Sequence, residues 1–185
     1  IEDVAYNLGY HVVIFQSHES RDREIIDLNH LVSRKVDGIL TSVSSLSHDT
    51  QHFHEIIRRG MPIVFVDRVP EENATYKIEV DNYQGAYNAT RHLLENGSTR
   101  VAQITSPSHL SITRERLEGY SAALRDFGIQ FDARYVKYCE HGGREIKEIA
   151  NAAQELLDMV DRPDAIFTAS DRLTTGTMSV IRDNH

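Results

Sequence analysis

One cysteine and four prolines stand in these 185 residues, and no apolar run approaches the length of a membrane span. A helical crossing needs roughly 18 consecutive apolar residues, so a bilayer partner is not expected. The lone Cys139 excludes an internal disulfide framework and any multi-cysteine metal site, and it reads as a small buried residue. Three signatures of catalysis or phosphate binding are missing: a G-x-S-x-G elbow, a G-x-x-x-x-G-K-[ST] loop, and a G-x-G-x-x-G after the first strand. Gly142-Gly143 lacks the glycine spacing of a phosphate cradle and reads as an ordinary turn. Positive charge is also short. Twenty basic against twenty-eight acidic residues leave a formal charge of -8, which by itself repels a nucleic-acid backbone. No secretory signal opens the chain, but Ile1, Val4, Ala5 and Leu8 fall at helical spacing before Gly9. The chain is therefore expected to open inside a helix and, at His185, to stop part-way along another.

What is present is a regular alternation. Five short apolar segments, 11–15, 38–40, 63–66, 101–104 and 165–167, each run into a small polar cluster. Between them lie stretches with apolar residues at helical spacing, such as Ile25, Leu28 and Leu31, or Phe53, Ile56 and Ile57. Strands alternating with helices predict an α/β fold of mainly parallel sheets flanked by helices, in two Rossmann-like lobes. We expect residues 1–80 to form the first lobe, and residues 81–185 to supply a passage helix and the second lobe. Residues 68–77, with Pro70, Glu71, Glu72 and Asn73, read as a polar loop leading to an extended piece at 78–80. Open sheets of this type hold ligands beyond the carboxyl ends of their strands, where these polar clusters lie.

The candidate binding residues follow from that rule. Asp67 directly follows the apolar run Ile-Val-Phe-Val and can accept hydrogen bonds from a polar ligand; the plainer alternative is a turn residue that caps Val69 or pairs with Arg68. Ser44 belongs to the polar run after the second segment and joins the binding set. Arg114 and Arg116 fall at the start of a helix predicted over 114–127, with Ser111 or Thr113 as candidate caps. Cations there oppose the helix dipole, so at least one is expected to have an anion or hydroxyl acceptor, unless both are spent on surface carboxylates such as Glu115 and Glu118. Ser170 and Asp171 open the last helix, where capping and ligand contact can coexist. His48, His52 and His54 invite a metal reading, but His52 and His54 fall on different helical faces and no third ligand is evident. We expect no metal and no cofactor.

The ordered set Val36-Asp37-Gly38-Ile39-Leu40, Met61-Pro62-Ile63-Val64-Phe65-Val66-Asp67, Val80-Asp81-Asn82-Tyr83-Gln84-Gly85-Ala86, Arg91-His92-Leu93-Leu94-Glu95-Asn96-Gly97, Arg116-Leu117-Glu118-Gly119-Tyr120 and Pro163-Asp164-Ala165-Ile166-Phe167 with Ser170-Asp171 resembles the lactose-repressor/galactose-repressor family. The resemblance covers essentially the whole chain. It implies the periplasmic-binding-protein-like regulatory core of a cytoplasmic bacterial transcription regulator. Such a core binds a small effector, a sugar, a sugar phosphate or less often a purine, between two lobes. A helix-turn-helix head upstream of Ile1 would bind operator DNA, and the protein would act as a homodimer. In the family, the positions matching Asp67 and Arg116 hydrogen-bond the effector; the position matching Ser170 is commonly asparagine, so serine offers a shorter hydroxyl in its place. The first strand of the core would precede Ile1 and its last strands would follow His185. A periplasmic sugar receptor shares the fold and is the nearest rival; an enzyme, with Asp67 or Asp171 as acid or base, is the more distant one and is not expected.

Overall fold

The computed structural model describes residues 1–70 and 75–183; Glu71, Glu72 and Asn73 of the expected polar loop, and the terminal His185, lie outside the described residues. Two three-stranded parallel sheets organise the chain. The first contains β1 (Ile39–Thr41), β2 (Ile63–Val66) and β3 (Tyr76–Ile78) in that order, with Ile39 opposite Ile63 and Val64 opposite Tyr76. The second contains β4 (Val101–Thr105), β5 (Val136–Tyr138) and β6 (Ala165–Thr168), with β4 in the middle. Parallel neighbours require crossovers, and helices supply those from β1 to β2, from β4 to β5 and from β5 to β6. The helices are α1 (Glu2–Asn7), α2 (Arg21–Ser33), α3 (Gln51–Arg58), α4 (Asn82–Glu95), α5 (Ser111–Asp126), α6 (Ile146–Leu157) and α7 (Asp171–Asp183); α3, α5 and α6 make these three crossovers, and α4 leads from the first sheet to the second. The α/β class is as expected.

Each sheet has its own core. Leu28 of α2 and Phe53 and Ile56 of α3 pack on Ile39, Ile63 and Phe65, the inward residues of β1 and β2. Phe53 meets Phe65 edge to face, with ring centroids 5.1 Å apart. In the second sheet all five residues of β4 are buried, because helices cover both faces. Val101 packs with Leu94, Tyr120 and Leu124 on the α4/α5 side, and Ala102 and Ile104 pack with Ile149, Leu156 and Leu173 on the α6/α7 side. Cys139 is buried among the latter, and burial pushes its thiol up to about 11. α4 and α5 cross so closely at Gly119 that a Cβ there would stand 2.2 Å from the Tyr83 carbonyl oxygen. No side chain fits without moving the helix backbone.

Three expectations shift. Residues 11–15 form no strand, and Val12, Val13 and Ile14 are exposed. A strand exists only by pairing, and among the described residues none lies alongside this segment to complete its ladder. The extended piece expected at 78–80 is β3, two residues earlier. α5 begins at Ser111 rather than 114, with Leu110 as N-cap and no side-chain capping bond. Arg114 and Arg116 thus lie past the opening residues, where the dipole weakens. α4, by contrast, carries a side-chain cap: Asp81 accepts the Gln84 amide at 2.8 Å.

Candidate ligand-binding cleft

Parallel strands bring their carboxyl ends to one edge of each sheet, and the polar clusters there form the candidate site. Asp67 follows β2 with φ at 63°, a left-handed conformation unusual for a non-glycine residue, and its side chain is exposed. Its amide still donates to the Ile78 carbonyl at 3.1 Å, so β3 holds this turn. Arg116 approaches from α5. Its Nε donates to Asn82 Oδ1 at 3.0 Å and its Nη1 to the Ala169 carbonyl at 2.8 Å, which ties the start of α4 to the end of β6. Asn82 is buried and donates in turn to Glu115 Oε2 at 2.9 Å. Burial pushes the Arg116 guanidinium below its ordinary value, while the charges of Asp67 and Glu115 act the other way. Asp67, from the first sheet, and Arg116, beside the second, are therefore within electrostatic reach.

The remaining predicted residues divide. Ser170 caps α7, accepting the Leu173 amide on Oγ at 3.4 Å, and is half-buried at the cleft edge. Asp171 is exposed and accepts the Arg172 amide at 2.8 Å. Arg114 turns to its own loop, donating Nη1 to the His109 carbonyl at 2.8 Å. Ser44 is buried, and its hydroxyl accepts the Leu46 amide at 3.4 Å within its own turn. The structure does not present Ser44 or Arg114 to the cleft as it presents Asp67.

Two carboxylates that sequence reasoning passed over organise the first sheet's edge. Glu24 is buried and accepts from the Ser44 amide at 2.7 Å and the Ser47 hydroxyl at 2.8 Å, with His52 Nε2 also at 2.8 Å. A signal for it existed: Glu24 shares the helical stripe of Leu28 and Leu31, a face that is buried. Glu19 accepts both Nη atoms of Arg68, at 2.9 and 2.8 Å, and the Ser45 amide at 2.7 Å. Burial raises the Glu19 pKa, but Arg68 and the Ser45 amide outweigh it and hold this carboxyl below the ordinary range. Arg68 therefore pairs with Glu19, not with Asp67. Of the histidines weighed for a metal, His52 is committed to Glu24, and among the described residues no group of three or more His, Cys, Asp or Glu side chains is placed to hold an ion.

A groove of about 490 Å³ runs from the first sheet's edge to the loop before α5, bounded by Ser47, His48, Arg68, His109 and Ser111. The His48 and His109 rings meet across it, with centroids 4.5 Å apart. Another hollow, of about 460 Å³ near Arg100, Tyr120 and Phe131, opens at the amino end of β4, away from these clusters. The edge of the cleft thus gathers hydroxyls, carboxylates and arginine side chains.

Comparison with known proteins gives the same direction. The profile of the family described as periplasmic binding proteins and sugar-binding domain of the LacI family matches residues 1–184. The chain belongs to this family. Among its relatives, the HTH-type transcriptional repressor PurR of Photobacterium profundum is 29% identical over 97% of this LacI-family chain and 52% of its own length. The HTH-type transcriptional repressor CytR of Escherichia coli is 30% identical over 97% of the chain and 51% of that protein. The chain spans about half the length of these relatives. Among solved structures, the transcriptional regulator CelR–cellobiose complex superposes with a TM-score of 0.83 at 31% identity, covering 98% of this chain and 54% of that one. The transcription regulator CcpA of Lactococcus lactis has the same fold, with a TM-score of 0.87 at 24% identity over 98% of this chain and 65% of that one.

Proposed function

We propose that this chain is the effector-binding core of a bacterial transcription regulator, with lobes at residues 1–80 and 81–185. It binds a small polyhydroxyl ligand, a sugar or sugar phosphate ahead of a purine, and carries no catalytic role or cofactor. The observation that carries this reading is the placement of Asp67 at the carboxyl edge of one parallel sheet and of Arg116 beside that of the other, with Arg116 aligned by Asn82 and the Ala169 carbonyl. A carboxylate and a guanidinium fork held there present the acceptor and donors that vicinal hydroxyls need. The 31% identical regulator solved with cellobiose supports a carbohydrate. Relatives named as HTH-type transcriptional repressors support an upstream helix-turn-helix for operator DNA; the protein on this reading is cytoplasmic and a homodimer. No helix among the described residues is long and apolar enough to cross a membrane.

Micromolar affinity requires about 8 kcal/mol, whereas one charged hydrogen bond contributes about 1.5–3. Asp67 and Arg116 must therefore act with Ser170 and other polar groups of the cleft. The effector would favour one relative arrangement of the lobes and change the spacing of the DNA heads, a coupling of about 1–3 kcal/mol on the usual scale.

Calorimetry with a sugar panel that includes cellobiose tests the assignment. Arg116→Ala should lose roughly 10- to 150-fold in affinity while its circular dichroism is retained. Unchanged affinity would remove Arg116 from the site. N-terminal sequencing of the natural protein then separates a regulator, with a helix-turn-helix before Ile1, from a secreted sugar receptor with a cleaved leader.

A further inference from the structure

The Glu19–Arg68 pair stands in the wall of the cleft. Arg68 follows Asp67, lines the 490 Å³ groove, and brings its Nε to 3.5 Å from Ser42 Oγ at the end of β1. Glu19 is pinned from the other side by the Ser45 amide, and Ser45 abuts the second sheet's loop: a Cβ on Gly142 would stand 3.7 Å from Ser45 Oγ. Both side chains are largely withdrawn from solvent, at 20% exposed for Arg68 and 24% for Glu19. The pairing is a fork on both carboxylate oxygens, which satisfies the two donors a phosphate would use. His18 and Glu19 adopt consecutive left-handed conformations, φ 52° and 61°, so this carboxylate is held in place against local backbone preference.

The other arginines at the site are engaged too. Arg116 serves Asn82 and the Ala169 carbonyl, Arg114 the His109 carbonyl, and Arg21 both oxygens of Asp49. Asp67 and Asp171 meanwhile present exposed carboxylates. A dianionic phosphate entering beside Arg68 would have to displace Glu19 from its fork and sit near the exposed carboxylates of Asp67 and Asp171. Hydroxyl groups meet neither obstacle, because they donate to carboxylates and accept from arginine at once.

We propose that Glu19 is a specificity-determining residue: by occupying Arg68 it makes the cleft select a neutral polyhydroxyl effector over its phosphorylated counterpart. This rests on the effector-binding reading above. The test is calorimetry on the 185-residue chain with matched pairs, cellobiose and cellobiose 6-phosphate, D-fructose and D-fructose 1-phosphate, D-ribose and D-ribose 5-phosphate, and with inorganic phosphate as a charge-only probe. The wild type should bind a neutral member at least about tenfold more tightly than its phosphate ester, the scale of one charge-assisted contact. Glu19→Gln, which keeps the shape and removes the charge, should improve the ester's affinity relative to its neutral counterpart about tenfold. Adding Arg68→Met should erase the gain. If Glu19→Gln disturbs the fold by circular dichroism, Glu19→Ser provides the same readout. A wild-type preference for the ester, or a gain that persists without Arg68, overturns the proposal and leaves the effector-binding reading standing. Binding of neither member of any pair, nor of phosphate, overturns both.

Discussion

The two sheets have the same parallel topology and three strands each, yet they are supported in different ways. The second is a sandwich: β4 is buried along its whole length between α4/α5 and α6/α7. The first is covered on one face. Leu40, Tyr76 and Ile78 remain 52%, 78% and 63% exposed, and α1 contributes no buried residue. The carboxyl edges differ accordingly. Beside the second sheet, Arg116 is held by a side-chain amide and a carbonyl within a packed frame. Beside the first, the polar loops are held by carboxylates, Glu24 gathering Ser44, Ser47 and His52, and Glu19 gathering Ser45 and Arg68. Where apolar packing covers both faces, the edge needs little electrostatic help; where it covers one, buried charge supplies the order.

This contrast can be broken most forcefully through the cores. Leu156, fully buried on the second sheet, should cost about 2–5 kcal/mol when replaced by alanine, because a cavity is added to the lost transfer energy. Leu40→Ala on the open face of the first sheet should cost under about 1 kcal/mol. Urea denaturation of both variants checks the difference, and equal losses would mean that the outer face of the first sheet is covered in solution.

A smaller effect is expected at Glu24. Glu24→Gln replaces one acceptor oxygen by a donor facing donors, which leaves a buried group unsatisfied at a cost of about 1–3 kcal/mol. The loss should appear as faster amide exchange around Ser44 to Ser47, with β4 unaffected. Uniform exchange changes across both sheets would show that the two edges are not independently supported.

The smallest effects are electrostatic and opposite in sign. Glu19 has its pKa lowered in the folded chain, so its stabilisation is present above the ordinary carboxyl value of 4.5 and is lost as pH falls through the folded value. His141 has its pKa raised, with the hydrogen bond its ring N–H donates to the Glu148 carboxylate as the largest cause. Its stabilisation is present below the ordinary imidazole value of 6.5 and is lost as pH rises through the folded value. Both pairs reach solvent, and His141 is screened more heavily. In denaturation curves against pH, Glu19→Gln should flatten the acid limb, and His141→Gln should flatten a slight decline above neutrality. An unchanged acid limb in Glu19→Gln would assign acid sensitivity to other carboxylates.

Much of this architecture could be read in advance because it depends on local pattern. Four of the five apolar segments are strands, and the polar residues after them mark the cleft, because a buried strand needs apolar residues on both faces and an open edge leaves its ends to solvent. Segment 11–15 has the same composition and is not a strand, since pairing depends on a neighbour and not on the segment itself. That Asp67 follows a strand and Arg116 lies on a helix was legible from local pattern. The Glu19–Arg68 fork was not, because 49 residues separate its members and no periodicity links them.

The sequence by itself determined the α/β alternation, the polarity of the strand ends and the family, since each rests on short-range spacing or on ordered motifs. Only the tertiary structure decided which carboxylate each arginine meets, that Ser44 lies buried and Asp67 does not, and that one sheet is covered twice and the other once. Those outcomes follow from chain crossing, which brings distant residues within hydrogen-bond distance and leaves no trace in their local sequence.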